Sequence, residues 1–286
     1  MNSLIVDHIN ELKNDSLHGA GWLSRKSIQI MQLAIQQTGA VTVSDFIAET
    51  KITAAEIARA RPSMISITNY INQFLKHIII SSQHTNELEL LKKLALTKCN
   101  ELLKRSEESS LKAAEHGSKV IGKGDIVMTC SYSSTVCETI KIAYTQLNEL
   151  QIIAAESIYG RNNYGHITAK QLGQYNIAVT VVKDDEINKR VQDVSLALVG
   201  ADTMLADGTL INGIPTYVLA KACSEQRIPF YCICETAKFD LLNYRDKHFK
   251  PEPGFEKTPP ALITGIITEE GVMSPDQVIN YKAEAD

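Results

Sequence analysis

The residues of this chain best suited to chemistry stand just beyond apolar runs that read as buried strands. Residues 196–199, LALV, end at Gly200, and Asp202 follows two positions on. In open α/β sheets ligands bind in the crevice beyond the carboxyl ends of the strands, so an acid placed there is available for proton transfer rather than packing. Residues 129–135, TCSYSST, join a predicted strand to a predicted helix. Hydroxyls such as those of Ser131 and Ser133, with free backbone N–H groups at a helix start, form a site for an anion such as phosphate. The same field would lower the pKa of Cys130. The competing reading is a helix cap at Ser133 or Ser134, with Cys130 packed.

Further loops repeat the arrangement. Residues 156–165, ESIYGRNNYG, place Arg161 where a guanidinium can grip a phosphate bidentately and where glycines admit close approach. The alternative for Arg161 is an exposed surface charge. Asn212 either orients a ligand hydroxyl or completes a turn. Lys238 follows an apolar run at 229–234 and either reaches a phosphate or is solvated.

The elements that must position these residues differ along the chain. From about 4 to 115 the pattern is helical: Ile28, Met31 and Ile35 recur at helical spacing, as do Leu88, Leu91, Ala95 and Cys99. Thr42 or Ser44 caps a helix beginning near Asp45, and a run at 54–61 stops at Pro62. After residues 119–124 strands and helices alternate: 125–129, 135–147, 151–155, 167–175, 178–182, 196–199, 217–226 and 229–234. Alternation of this kind specifies a mainly parallel, doubly wound sheet. The expected fold is α/β, with a helical domain at 1–118 and a Rossmann-like domain at 119–286.

Composition narrows the class. With 44% hydrophobic and 22% charged residues, the chain is an ordinary globular protein. A net charge of −4 and a pI near 6.0 give no reason to expect direct nucleic-acid binding. The start, MNSLIVDHINELKND, lacks the features of a signal peptide, and no apolar run approaches a membrane span, so a cytoplasmic location is expected. Six irregularly spaced cysteines form no disulfide framework. Cys232 and Cys234 share one strand face and are expected to pack there, while Cys99, Cys137 and Cys223 read as small buried hydrophobes. The seven histidines show no ligand spacing, and neither a metal nor a cofactor is expected.

The order of these blocks resembles the alpha/beta/delta family of translation initiation factor 2B, which also contains isomerases of methylthioribose 1-phosphate and ribose 1,5-bisphosphate. The resemblance covers nearly the whole chain. It runs through Gly19-Ala20, Arg61-Pro62-Ser63-Met64, residues 129–136, Glu156-Ser157, Gly200-Ala201-Asp202, Lys238-Phe239, Thr258-Pro259-Pro260 and the block at 266–272, IITEEGV. It implies a helical domain followed by a Rossmann-like one. It also implies a phosphorylated sugar or nucleotide as small-molecule partner, a homodimer or higher homo-oligomer, and no membrane. By the same resemblance Asp202 and Cys130 are the acid/base pair that opens a furanose 1-phosphate and moves hydrogen between C1 and C2. Gly19, Ala20, Arg61, Ser131, Ser133, Arg161, Asn212 and Lys238 are its substrate-binding positions.

The departures matter as much. Where the isomerases read Thr-His-Cys, an ungapped match places Cys130 at the histidine and Ser131 at the cysteine. Asn212-Gly213-Ile214-Pro215-Thr216 stands in place of Asn-Lys-Ile-Gly-Thr, Ile158-Tyr159 in place of an Arg-Pro, and His18 in place of an arginine. Two functions remain open at the level of sequence. One is an aldose–ketose isomerase of a phosphorylated pentose. The other is a non-catalytic regulatory subunit that binds a phosphorylated metabolite or a partner protein.

Overall fold

The computed structural model describes residues 2–242 and 248–281, and the chain forms two compact units, 1–108 and 109–286. The first unit is helical: α1 (Ser3–Asn14), α2 (Ala20–Gln36), α3 (Val43–Ala60), α4 (Ile65–Ser82) and most of α5 (Leu88–Ser118). Local chemistry sets the helix ends. The Asn2 side chain caps α1, and Thr42 Oγ1 caps α3 by accepting the Asp45 N–H at 3.1 Å. α3 stops at Ala60, ahead of Pro62, because the residue before a proline is pushed out of the helical region. The stripe read from sequence is the buried one: Ile28, Met31 and Ile35, joined by Leu23, Phe46, Ile57 and Phe74.

α5 is a continuous helix of 31 residues. The change of texture expected near 118 marks its carboxyl end, whereas the division between units falls between Glu108 and Ser109. Helical hydrogen bonding runs through that division uninterrupted; only the packing partners change. Ser106 takes a hydrogen bond from Arg25, and Ala113 lies in the core of the second unit.

The second unit begins with β1 (Ile126–Thr129), α6 (Ser134–Leu147), β2 (Gln151–Ala155), a hairpin of β3 (Ile158–Tyr159) and β4 (Asn162–Asn163), and α7 (Tyr164–Gly173). It continues with β5 (Val179–Val182), α8 (Ile187–Arg190), β6 (Leu196–Val199), β7 (Thr203–Leu205), β8 (Leu210–Gly213) and α9 (Thr216–Gln226). It ends with β9 (Phe230–Ile233), β10 (Phe239–Asp240), β11 (Phe255–Thr258), β12 (Gly265–Thr268) and β13 (Gly271–Met273). The main sheet has seven strands in the order β13-β12-β9-β6-β1-β2-β5, parallel except for the edge strand β13.

Both faces of this sheet are covered, which is why its strands read as continuous apolar runs. Met128, Ala197, Val199 and Cys232 point to the face holding Leu219 and Ala220 of α9. Val127, Leu196, Leu198 and Ile233 point to the face holding Val136 and Ile140 of α6. The twofold alternation of a strand sorts neighbours into opposite cores. Cys232 and Cys234 pack together in the first of these cores, as their spacing implied. A smaller sheet, β10-β7-β8-β11, lies directly after Asp202. Its central hairpin turns at Gly208, whose φ of +80° is the left-handed conformation glycine adopts without strain.

Candidate functional site

The strand order decides where a site can form. Taken along the chain, β1, β2 and β5 are laid outward on one side, and β6, β9 and β12 outward on the other. The order reverses between β1 and β6, which are neighbours in register at Val127–Leu196 and Met128–Ala197. At such a switch point the loops leaving the two strands diverge to opposite faces and leave a crevice between them. The β1 loop carries Cys130, Ser131 and Ser133; the β6 loop carries Gly200 and Asp202. These two loops touch. A Cβ built on Gly200 would lie 2.6 Å from Ser133 Oγ, so only glycine lets them close to this distance.

On the β1 side Ser133 caps α6, its Oγ accepting the Val136 N–H at 3.3 Å. Ser131 is held at φ +58° and Ser157, at the end of β2, at φ +51°. A left-handed conformation costs a residue with a Cβ roughly 1–2 kcal/mol, so each must be fixed by its surroundings. Ser157 Oγ accepts the Ser131 N–H at 2.7 Å, and Thr168 Oγ1 donates to the Ser131 carbonyl at 3.4 Å. Ser131 Oγ faces Gly213: a Cβ there would be 2.5 Å from it.

Cys130 continues the Met128 side of β1 and is buried in the core beneath α9. Its Sγ lies 3.4 Å from Thr216 Oγ1. The Thr216 hydroxyl donates to the Gly213 carbonyl at 2.6 Å and accepts from Asn212 Nδ2 at 3.0 Å. With the Thr216 proton committed, the sulfur must be the donor, and Cys130 is a neutral thiol. Burial pushes its pKa up to about 12. This corrects the expectation that the α6 terminus lowers it. The side chain points into the core, where loss of solvation outweighs the helix field.

On the β6 side Asp202 is 8% exposed and is flanked by the buried Thr203. Lys238, in the 3-10 turn after β9, is also buried and pairs with Glu235 at 3.1 Å, both side chains being 4% exposed. Lys238 is therefore not solvated. Burial opposes its charge, but Glu235, then Cys234 and Asp202, hold its pKa above the usual lysine range. Burial likewise opposes the Glu235 carboxylate, and the cation of Lys238 brings its pKa below the ordinary value. Glu269 fixes the same turn, accepting from Thr236 N at 2.9 Å and from Thr236 Oγ1 at 2.7 Å.

The remaining positions lie outside these two loops. Arg161 is exposed at the tip of the β3–β4 hairpin. Gly19, Ala20 and Arg61 belong to the first unit, where Gly19 is the N-cap of α2 and supplies no side-chain cap. Arg61 Nη1 donates to the carbonyls of Lys13 and Asp15 at 3.1 and 2.7 Å, and Asp15 in turn binds His18 Nδ1 at 2.7 Å. The structure thus gathers Arg61, His18 and the start of α2 in one place. A small cleft of ≈ 60 Å³ in the same unit, among Ile5, Met31, Ile35 and Phe46, is far below the size of a sugar-phosphate pocket. Among the described residues no helix is long and apolar enough to cross a membrane.

Residues 16–254 match the initiation factor 2 subunit family. The chain belongs to that family. Relatives are similar over nearly their full length. A translation initiation factor eIF-2B subunit 2-like protein of Pyrococcus furiosus is 32% identical over 283 residues, covering 95% of this chain and 96% of its own. A ribose 1,5-bisphosphate isomerase of Thermococcus kodakarensis is 27% identical over 305 residues, covering 98% and 94%. The crystal structure of translation initiation factor eIF-2B from Pyrococcus horikoshii superposes with a TM-score of 0.83 at 28% identity, covering 98% of this chain and all of that one.

The structure adds three acids, Asp184, Glu235 and Glu269, to the site positions read from the sequence. Asp184 follows β5 as Asp202 follows β6, so the rule that singled out one acid at a strand end would have found the other. Glu235 stands three positions before Lys238, the spacing that one 3-10 turn brings together. Glu269 lies within the block that carries the family resemblance, and its use is to staple the turn bearing Lys238 to β12.

Proposed function

We propose that the chain binds a phosphorylated pentose at the switch point between β1 and β6, with Asp202 as the acid/base carboxylate of an aldose–ketose isomerase. The observation that carries the reading is the buried Lys238–Glu235 pair beside Asp202, a charged arrangement that is costly to place at a strand tip. A furanose 1-phosphate cannot open spontaneously, so its isomerisation needs a proton delivered to the ring oxygen. A hydrogen must then pass from C2 to C1. Asp202 supports the transfer between carbons. Cys130 is the candidate for the donation, for which its thiol would have to leave the core and its bond to Thr216. Ser131, Ser133 and the start of α6 receive the phosphate. The ribose 1,5-bisphosphate isomerase likeness supports the substrate class. Formation of a homo-oligomer is part of the same reading and is checked by sedimentation.

A second reading is favoured by one observation. The Cys130 thiol is fully buried and already bonded to Thr216, an arrangement that suits a binding subunit which does not turn its ligand over. The eIF-2B subunit 2-like relative agrees with it. One experiment separates the two. Ribose 1-phosphate and ribose 1,5-bisphosphate are screened by thermal shift, then incubated and analysed for the ketose. Binding at 100-fold Kd should add about 2.7 kcal/mol of stability. Ketose that disappears in Asp202→Asn, with binding kept, supports the isomerase. Binding without product supports the regulatory subunit, and no shift with either pentose phosphate removes the isomerase and leaves a subunit that binds a partner protein or another phosphorylated metabolite.

A further inference from the structure

Beyond the groups that would face a ligand, a chain of hydrogen bonds runs along the strand tips from the sheet edge to the switch point. It starts at Asp184, the first residue after β5 and its Lys183 linker. Both carboxylate oxygens are used on backbone donors at the neighbouring β2 tip: Oδ1 accepts the Ser157 N–H at 2.8 Å and Oδ2 the Ile158 N–H at 3.4 Å. Ser157 is wholly buried and left-handed, and its Oγ donates to the Ala155 carbonyl at 3.3 Å. That leaves its lone pairs for the Ser131 N–H at the β1 tip, 2.7 Å away. Two consecutive links therefore each end on a residue with a Cβ at positive φ, where the backbone does not rest unaided. A carboxylate can accept both N–H groups at once; an amide side chain can accept with one oxygen only.

We propose that Asp184 is a positioning residue for the β1 loop: through Ser157 it sets the left-handed turn at Ser131 and with it the orientation of Ser131 and Ser133 at the switch point. The proposal rests on the sugar-phosphate reading for its consequence in binding, and on backbone geometry alone for its consequence in the loop. It assigns Asp184 no contact with ligand. The acid works at a distance of two strands, by supplying the anionic acceptor that a pair of N–H groups requires.

The test uses the full chain and its variants Asp184→Ala and Asp184→Asn, with ribose 1,5-bisphosphate as the probe. Amide hydrogen exchange is followed without ligand, and Kd is measured by calorimetry. In Asp184→Ala the Ser131 and Ser157 amides should exchange at least roughly tenfold faster, while Val127 and Met128 in β1 are unchanged, and Kd should rise by roughly tenfold. Asp184→Asn keeps one acceptor and should fall between, which a general loss of packing would not reproduce. Should Asp184→Ala not fold, the Asn variant carries the same comparison with wild type. Unchanged Ser131 exchange overturns the proposal, and so does faster exchange with unaltered affinity. If wild-type protein does not bind the probe, the sugar-phosphate reading fails separately. The exchange arm then decides the proposal alone: loss of Ser131 protection upholds the loop-setting role, and retained protection ends it.

Discussion

Cys130 and Glu235 are both buried, and each is held in one protonation state by different means. For Cys130 the core excludes the thiolate, moving its pKa from 9.0 to about 12. Between those values the folded state keeps a proton that the unfolded state loses, so stability must fall as pH rises across that window. The melting temperature of wild type should therefore decline more steeply above pH 9 than that of Cys130→Ala, whatever the variant's stability at neutral pH. Equal slopes would mean that the thiol ionises freely in the fold. For Glu235 the sign is opposite. Its lowered pKa gives stability that is present above the ordinary carboxylate range and lost as pH falls through the folded value. Glu235→Gln leaves the Lys238 cation buried without its partner and should cost roughly 3–5 kcal/mol in denaturant unfolding. Adding Lys238→Met should recover much of that loss. A cost for Glu235→Gln below about 1 kcal/mol would show the pair to be as weak as a surface ion pair.

The loop elements depend on fine tolerances, and Gly200 is where they are tightest. A methyl group there would lie 2.6 Å from Ser133 Oγ and 2.7 Å from Ser133 Cβ, so the β1 and β6 loops would have to separate. Gly200→Ala should destabilise by roughly 1–3 kcal/mol, and Ser133→Gly added to it should restore part of the loss, read from urea midpoints at constant slope. If the double variant is no more stable than the single one, the crowding lies elsewhere. The same scale explains what the sequence made legible. β1, β2, β6 and β9 were readable because a sheet covered on both faces makes each strand an apolar run with a polar loop at its end. The Thr42 cap and the stop before Pro62 were readable because they are local. The small sheet was not, since β10 has only two residues and pairs with β7, 35 positions away at Phe239–Met204. Nor was the burial of Lys238, because a charged residue following a strand looks the same in sequence whether water or a carboxylate receives it.

At the scale of the whole second unit, contacts join the strand tips in order. Asp184 after β5 holds Ser157 after β2; Ser157 holds Ser131 after β1; Ser133 abuts Gly200 after β6. On the other side Lys238 after β9 attracts Asp202, and Glu269 after β12 holds Thr236. The two halves of the sheet thus present their loops to one another across the point where strand order reverses. A ligand bound at the switch point as proposed would touch loops from both halves. Hydrogen exchange with and without ribose 1,5-bisphosphate should accordingly show protection rising together in residues 131–136 and 200–203, with both responses saturating at one ligand concentration. Protection confined to one of the two loops would place the ligand on a single half of the sheet. Protection only around Ile5, Met31 and Phe46 would move binding to the cleft of the helical unit and leave Asp202 without a substrate.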